Sequence, residues 1–284
     1  MTAKLSRHWN VAAALAACVL LAQMGLALAQ GGAALVDPAS KLYQAELGQS
    51  LSGSVRISNP GTTPLRLRLY LSDWGLDLEG QFTFADAGSQ RRSASEWVVF
   101  ADATLELAPG QTRQLPYTID VSADAEPGTY WTVLFAESEP TAPEPGQASA
   151  TVSVRVGHII YVNVPELSSD GAIVGIFGDP PANPGAPFVL IAQYANLGNA
   201  AQGVEGSFVL RNDRGETVIE AAIERSVVLP DSDRAFQVNL VGPLPAGNYT
   251  ALVVLNYGDE ERDVAGTYDF FLEEPLTEPG TQGP

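Results

Sequence analysis

The sequence predicts an all-β protein of two immunoglobulin-like antiparallel β-sandwich domains behind a signal peptide. Three observations carry this. First, a turn-and-strand signature occurs twice. One copy reads Leu107-Ala108-Pro109-Gly110, an alternating run through Leu115, Tyr117 and Ile119, then Pro127-Gly128-Thr129-Tyr130. The other reads Val228-Leu229-Pro230-Asp231, a run through Phe236, Val238 and Leu240, then Pro245-Ala246-Gly247-Asn248-Tyr249. Turn signals about ten residues apart, the later one launching a strand with an aromatic near its start, are the pattern of such sandwiches. Second, Leu65, Leu67, Leu69 and Leu71 alternate strictly with Arg66, Arg68, Tyr70 and Ser72. That period of two puts one face in a core and the other in water. Third, no stretch beyond the leader sustains a helical period.

The leader comes first in the chain. Lys4 and Arg7 precede an apolar run from Val11 to Leu28, and Ala27-Leu28-Ala29 supplies a small-x-small cleavage site, so cleavage is expected between Ala29 and Gln30. A membrane anchor is the competing reading, but Gln23 and Gly25 interrupt the run. Leu15-Ala16-Ala17-Cys18 also matches a lipobox, although the apolar residues continue well past Cys18.

From Leu42 the strand signals begin, after a short lead. Leu51, Val55 and Ile57 run into the breaker cluster Asn59-Pro60-Gly61, and the leucine-alternating strand follows. Residues 73–95, rich in Asp, Gly and Ser, read as an irregular excursion before Trp97 to Phe100 and Leu105-Glu106-Leu107 resume extended structure. After the first signature, residues 138–148 read as a Pro-rich loop. A long strand with Val152, Val154 and Val156, a bulge signal at Gly157 and Ile159 to Val164 then ends at Pro165. The first domain therefore spans 36–165, with a linker at 165–170. The second spans 171–272, with strands near 172–177, 187–196, 203–211, 216–228, 234–241, 248–257 and 262–272. Its hairpin turns are Asn212-Asp213-Arg214-Gly215 and Gly258-Asp259. Residues 273–284, acidic and Pro-rich, read as a disordered tail without a membrane span.

The formal net charge is −18, and the leader holds two of the basic residues and none of the acidic ones. Such a surface excludes nucleic acid as a partner and disfavours anionic lipid. Acidic pairs such as Asp231/Asp233 and the run Asp259-Glu260-Glu261 lack calcium-loop spacing and read as solvated turns. The single cysteine, Cys18, lies in the leader, so the exported chain relies on its cores without a disulfide.

Catalytic chemistry has little to work with. Beyond the leader the sole histidine is His158, in mid-strand, with no Gly-x-Ser-x-Gly nucleophile motif, no metal-ligand cluster and no Gly-rich phosphate loop. The chain is expected to be no enzyme and to carry neither cofactor nor metal. Trp74, Trp97 and Trp131 read as core aromatics in preference to a platform for sugar rings.

Residues 36–165 resemble the first domain of periplasmic pilus-assembly chaperones, the PapD-like sandwich. The resemblance rests on the opening strand around Lys41-Leu42, Ile57-Ser58-Asn59, Leu105 to Gly110, Tyr130 to Phe135 and the valine-alternating strand running into Pro165. The same span is similar to the first domain of WxL-interacting surface proteins through its Pro-Gly-Gln and Pro-Gly-x-Tyr turns. The chaperone resemblance implies donor-strand complementation: Val152, Val154 and Val156 would be lent to an incomplete pilin. It further implies a basic pair anchoring the pilin carboxylate, with Lys41 at the first position. At the second, Ile159-Ile160-Tyr161-Val162 carries no basic residue, and His158 is the nearest. The expected function is therefore an exported, non-enzymatic protein-binding module. It would assist or anchor another envelope or surface protein, such as a pilin-like subunit. An adhesin-like or glycan-binding surface module using exposed tryptophans is the second reading.

Overall fold

The computed structural model describes residues 34–139, 153–183, 185–259 and 262–276, which hold strands, turns and irregular backbone and no helix. The Ala29/Gln30 junction, Val152 and most of the Pro-rich loop lie outside the described residues. Ten strands make up the first half. They are β1 (Leu35–Asp37), β2 (Ser40–Gln44), β3 (Ser50–Ser58), β4 (Leu65–Leu76) and β5 (Phe82–Ala85), then β6 (Val98–Val99), β7 (Thr104–Leu107), β8 (Thr112–Asp120), β9 (Gly128–Ser138) and β10 (Arg155–Val164). Seven follow: β11 (Gly171–Asp179), β12 (Phe188–Asn196), β13 (Gln202–Asn212), β14 (Thr217–Val228), β15 (Asp233–Leu240), β16 (Gly247–Asn256) and β17 (Asp263–Leu272).

The fold is all-β and consists of two sandwiches. In the first, a sheet ordered β1-β3-β8-β6 packs on one ordered β2-β10-β9-β4-β5, with β7 also on β4. In the second, β11-β12-β15 packs on β14-β13-β16-β17. Alternating apolar residues of both sheets fill each interior, among them Ile57, Leu67, Ile119, Leu134 and Ile160 in the first. Phe208, Leu210, Leu240, Val253 and Leu255 do the same in the second. Every strand pair is antiparallel except β2 with β10, which run parallel from Ser40 opposite Ile159 to Gln44 opposite Asn163.

Both sandwiches are pinned by the same two devices. Buried Asn59 donates Nδ2 to the carbonyls of Leu107 and Ala108, and its Oδ1 accepts from Gly61 N–H. Buried Asn196 donates to Val228 and Ala200, and accepts from Gly198 N–H. Each amide ties the turn after one strand to the end of a strand in the opposite sheet. The second device is a tyrosine corner. Tyr130 Oη donates to the Glu126 carbonyl at 3.2 Å, and Tyr249 Oη to the Pro245 carbonyl at 2.7 Å.

The structure differs from the sequence reading at five places, the first being that strands begin ahead of Leu42, with β1 lying in the expected lead and β2 starting at Ser40. Residues 73–95 are not irregular throughout: β4 continues to Leu76 and returns as β5, because Trp74 buries its ring and Asp77 closes the hairpin tip by accepting from Gln81 N–H. Gly157 is not a bulge, since β10 pairs with β9 without a register shift. A side chain there would collide with Val133 and Phe135, which lean across from β9. Ser138 belongs to β9, not to the following loop. Residues 273–276, expected to open a disordered tail, return to the second sandwich, where Leu276 is buried and exchanges backbone hydrogen bonds with Leu244.

Candidate protein-binding edge and domain junction

Of the strand proposed to add to a partner, Ser153 to Val156 is described, and it has one free edge. Val154 exchanges bonds with Ser138 on the β9 side, its N–H going to Oγ and its carbonyl accepting from N–H. Backbone groups alternate along a strand. Those of Arg155 and Gly157 therefore point away from β9, the direction in which Ile159 N–H donates to Ala39 O. On that side β2 pairs only from Ile159 onward, and β1, which comes close to β10, is bonded to β3, so among the described residues no strand pairs with Arg155 to His158 there.

The side chains here divide by parity. Val156, with Ile160, Val162 and Val164 beyond it, faces this sandwich's own core, and Val156 packs against that core. Val154 is half-buried just before the strand starts. Arg155, Gly157, Ile159 and Tyr161 face the opposite way. There the Arg155 guanidinium lies 4.4 Å and 4.7 Å from the ring centres of Phe84 and Phe135. Phe82 and Phe84 of β5 stay exposed and stack on each other.

Lys41 and His158 are brought into the same neighbourhood. The Pro38 carbonyl can only accept, so His158 Nδ1 donates to it at 2.7 Å. In the neutral ring Nε2 then accepts from Tyr117 Oη at 2.9 Å, and Tyr117 Oη accepts from Tyr43 Oη at 2.9 Å. Gly53 sits opposite Tyr117, where a methyl would strike both phenols. Burial holds the His158 imidazole below its ordinary range, the Pro38 carbonyl raises it in part, and the Lys41 charge lowers it further. His158 is thus neutral with both nitrogens committed. Lys41, exposed and 4.8 Å from the Tyr43 ring centre, makes no ion pair among the described residues and carries the only charge of the pair.

Sequence reasoning missed the face that joins the sandwiches. Trp74, Trp131, Val133, Phe135 and Leu229 form a third buried cluster, drawn from both halves of the chain. Around it, Thr129 N–H donates to Asn199 O at 2.8 Å, and Ala201 N–H to Thr129 Oγ1 at 3.0 Å. Asp231 takes both Arg91 and Arg92 at 3.5 Å. At the β4–β5 tip, Leu78 O accepts from Ala235 N–H at 2.7 Å, and Arg234 covers Gly80. Nearby, buried Asp73 accepts from Ser93 Oγ, Ser95 Oγ and Gln90 N–H at 2.6–2.8 Å. With its oxygens saturated by donors, this carboxylate clamps the loop before Trp97. The clue in the sequence was the spacing of Ser and Asp through 73–95.

Trp74, Trp97 and Trp131 are 2%, 8% and 6% exposed, so no tryptophan of the described residues offers a face to sugar. Among those residues no group of three or more His, Cys, Asp or Glu side chains could hold a metal ion. No described helix is long and apolar enough to cross a membrane.

No family model matches the sequence, and no curated protein matches it. Among solved structures, the chain is similar to the Escherichia coli chaperone DraB at 16% identity and a TM-score of 0.40, covering 85% of this chain and 98% of that one. It is similar to the Salmonella enterica SafB chaperone, solved with the SafA pilin, at 13% identity and a TM-score of 0.43, covering 84% and 97%. It is also similar to the Pseudomonas aeruginosa CupB2 chaperone at 14% identity and a TM-score of 0.41, covering 85% and 100%.

Proposed function

We propose that this chain is an exported, non-enzymatic protein-binding module that assists another envelope or surface protein. In this reading the first sandwich takes up a strand of that partner, such as a pilin-like subunit, along β10. One observation carries the proposal: from Arg155 to His158 no described strand pairs with the outer edge of β10, while the same strand is paired on both sides from Ile159 to Asn163. A strand laid there would meet free main-chain donors and acceptors at Arg155 and Gly157, which supply affinity, while alternate side chains set specificity. Val154, half-buried and ahead of the core, is the side chain nearest the open end. Lys41 supplies a cation beside β10 for a carboxylate of the partner.

Val154→Asp tests this. An unpaired charge in an apolar groove is expected to weaken capture by on the order of 3 kcal/mol, a hundredfold or more. Capture of envelope proteins is compared between wild type and variant, with circular dichroism confirming the fold. Arg155→Pro is the second variant, since proline at the first residue of an edge strand removes one outward N–H without breaking a ladder bond. Folded variants that keep every partner would refute strand addition.

A further inference from the structure

The two sandwiches are built alike down to the groups that join them, and no described residue fills one of the two resulting sockets. Within the chain, the socket lies on the first sandwich. It comprises the β4–β5 tip with Asp77, Leu78 and Gly80, and the turn Pro127-Gly128-Thr129. The plug lies on the second sandwich: the Asn196–Asn199 turn, Leu229-Pro230-Asp231 and Arg234.

Every socket part recurs at the far end of the second sandwich. The β13–β14 tip repeats the β4–β5 tip: Asn212 Oδ1 accepts from Glu216 N–H as Asp77 Oδ1 accepts from Gln81 N–H. Gly215 and Gly80 both take the left-handed backbone, at φ 77° and 82°. The Pro245–Tyr249 turn repeats Pro127–Tyr130, with Gly247 for Gly128. Yet Gly80 meets Arg234 and Gly128 meets Asn199, whereas among the described residues nothing lies within 4 Å of a side chain added at Gly215 or Gly247. An open recess of about 430 Å³ lies there, lined in part by Asn212, Asp213, Asn248, Thr250 and Asp269.

The plug also recurs, unused, at the outer end of the first sandwich. Asn59-Pro60-Gly61 matches Asn196-Leu197-Gly198, and Ala108-Pro109-Gly110 matches Leu229-Pro230-Asp231. Arg113, opposite Ile57, matches Arg234, opposite Tyr194. Arg113 is exposed and makes no ion pair among the described residues. Asp231 and its partners Arg91 and Arg92 have no counterpart in the second pair, so neither surface is left with the unmatched half of that bridge.

We propose that the chain associates head to tail with a second copy of itself. The Asn59 turn and Arg113 of one copy would seat on the β13–β14 tip of another, placing a free guanidinium beside Asp213. This is a heterologous contact that need not close, so it builds linear arrays rather than symmetric dimers. It is weaker than the internal junction, because Ala108 replaces Leu229 and Thr250 replaces Trp131. Each array repeats the step between the two sandwiches of one chain, with the last strand of one copy leading toward the first strand of the next.

Cysteine trapping tests the geometry in the full chain carrying Cys18→Ser. Ala235 and Leu78 are joined by a backbone hydrogen bond, so their counterparts Gln114 and Asp213 come within disulfide reach only in the proposed contact. Gln114→Cys with Asp213→Cys in one chain is expected to give a ladder of covalent multimers on mild oxidation. Mixing the two single variants should give only dimers that hold one chain of each. Equal dimer formation by either single variant alone marks a symmetric contact and overturns the proposal, as does the absence of a ladder. Sedimentation of the Cys18→Ser chain at rising concentration should show a growing mass that Arg113→Glu abolishes. Growth that survives Arg113→Glu also overturns it.

Discussion

His158 ends a relay of three hydrogen-bonded rings, and its proton count decides how that relay is oriented. The neutral imidazole donates to Pro38 and accepts from Tyr117, which accepts from Tyr43. A second ring proton would force both phenol hydroxyls to turn around inside a packed core. Burial, the largest influence, holds the folded imidazole below its ordinary value of 6.5. The unfolded chain therefore binds more protons as pH falls through that region. The stabilisation from His158 is complete above about pH 6.5 and is lost as pH drops through the lowered folded value. Urea midpoints measured from about pH 8 down to pH 5 should fall more steeply for wild type than for His158→Gln, which keeps a polar group but cannot titrate. Parallel curves would show that the ring does not gain its proton on unfolding. Lys41 adds to the depression, so Lys41→Gln should raise the folded value toward 6.5 and make the fall smaller, ending at a higher pH.

At the scale of elements, the two buried asparagines illustrate what holds a strand end in place. Asn196 satisfies the Val228 and Ala200 carbonyls and the Gly198 N–H with one amide. Asn196→Ala leaves these groups buried without that partner, and should cost about 1–3 kcal/mol in chemical denaturation. Asn59→Ala should cost a similar amount in the first sandwich. Asn59-Pro60-Gly61 was legible as a breaker, because Pro and Gly announce a turn from their own backbone chemistry. That its asparagine reaches across to the opposite sheet was not, since the carbonyls it binds lie almost fifty residues away. The leucine run of β4 was legible for the same local reason: Leu67 and Leu69 are buried, and Arg66 and Arg68 are exposed beside Glu139 and Glu137. Beyond Tyr70 the outer face of that strand turns from water to the Trp74–Trp131 cluster. Alternation marks two faces but does not say what covers the second. The open end of β10 was hidden for a related reason: the valine pattern is the same whether or not a neighbour is present.

At the scale of the whole molecule, the junction couples sandwiches that each own a core. Leu229 is buried among Trp74 and Trp131, and the surrounding bonds reach from Leu78 to Ala235. Leu229→Asp would place a charge in that apolar contact while leaving both interiors intact. Calorimetry should then show one transition in wild type and two in the variant, because cooperativity between sandwiches rests on the shared surface. A single transition in both would place the coupling elsewhere. The signature that announced two domains also supplied the plug: Leu229-Pro230-Asp231 is the second copy of a turn whose first copy, Ala108-Pro109-Gly110, stays at the surface.

The parallel pairing of β2 with β10 has a mechanical consequence. When the chain is pulled from both ends, β2 is drawn by its N-terminal end and β10 by its C-terminal end. The five residues of each strand, from Ser40 beside Ile159 to Gln44 beside Asn163, are then loaded in shear, all together. Bonds that must break at once resist more force than bonds that unzip in turn. Among the described residues the second sandwich lacks such a clamp, since its first strand, β11, bonds only to β12 and its last, β17, only to β16. Under tension the second sandwich should yield first and the first should hold to a higher load, giving two ruptures of unequal force in a single-molecule pulling trace.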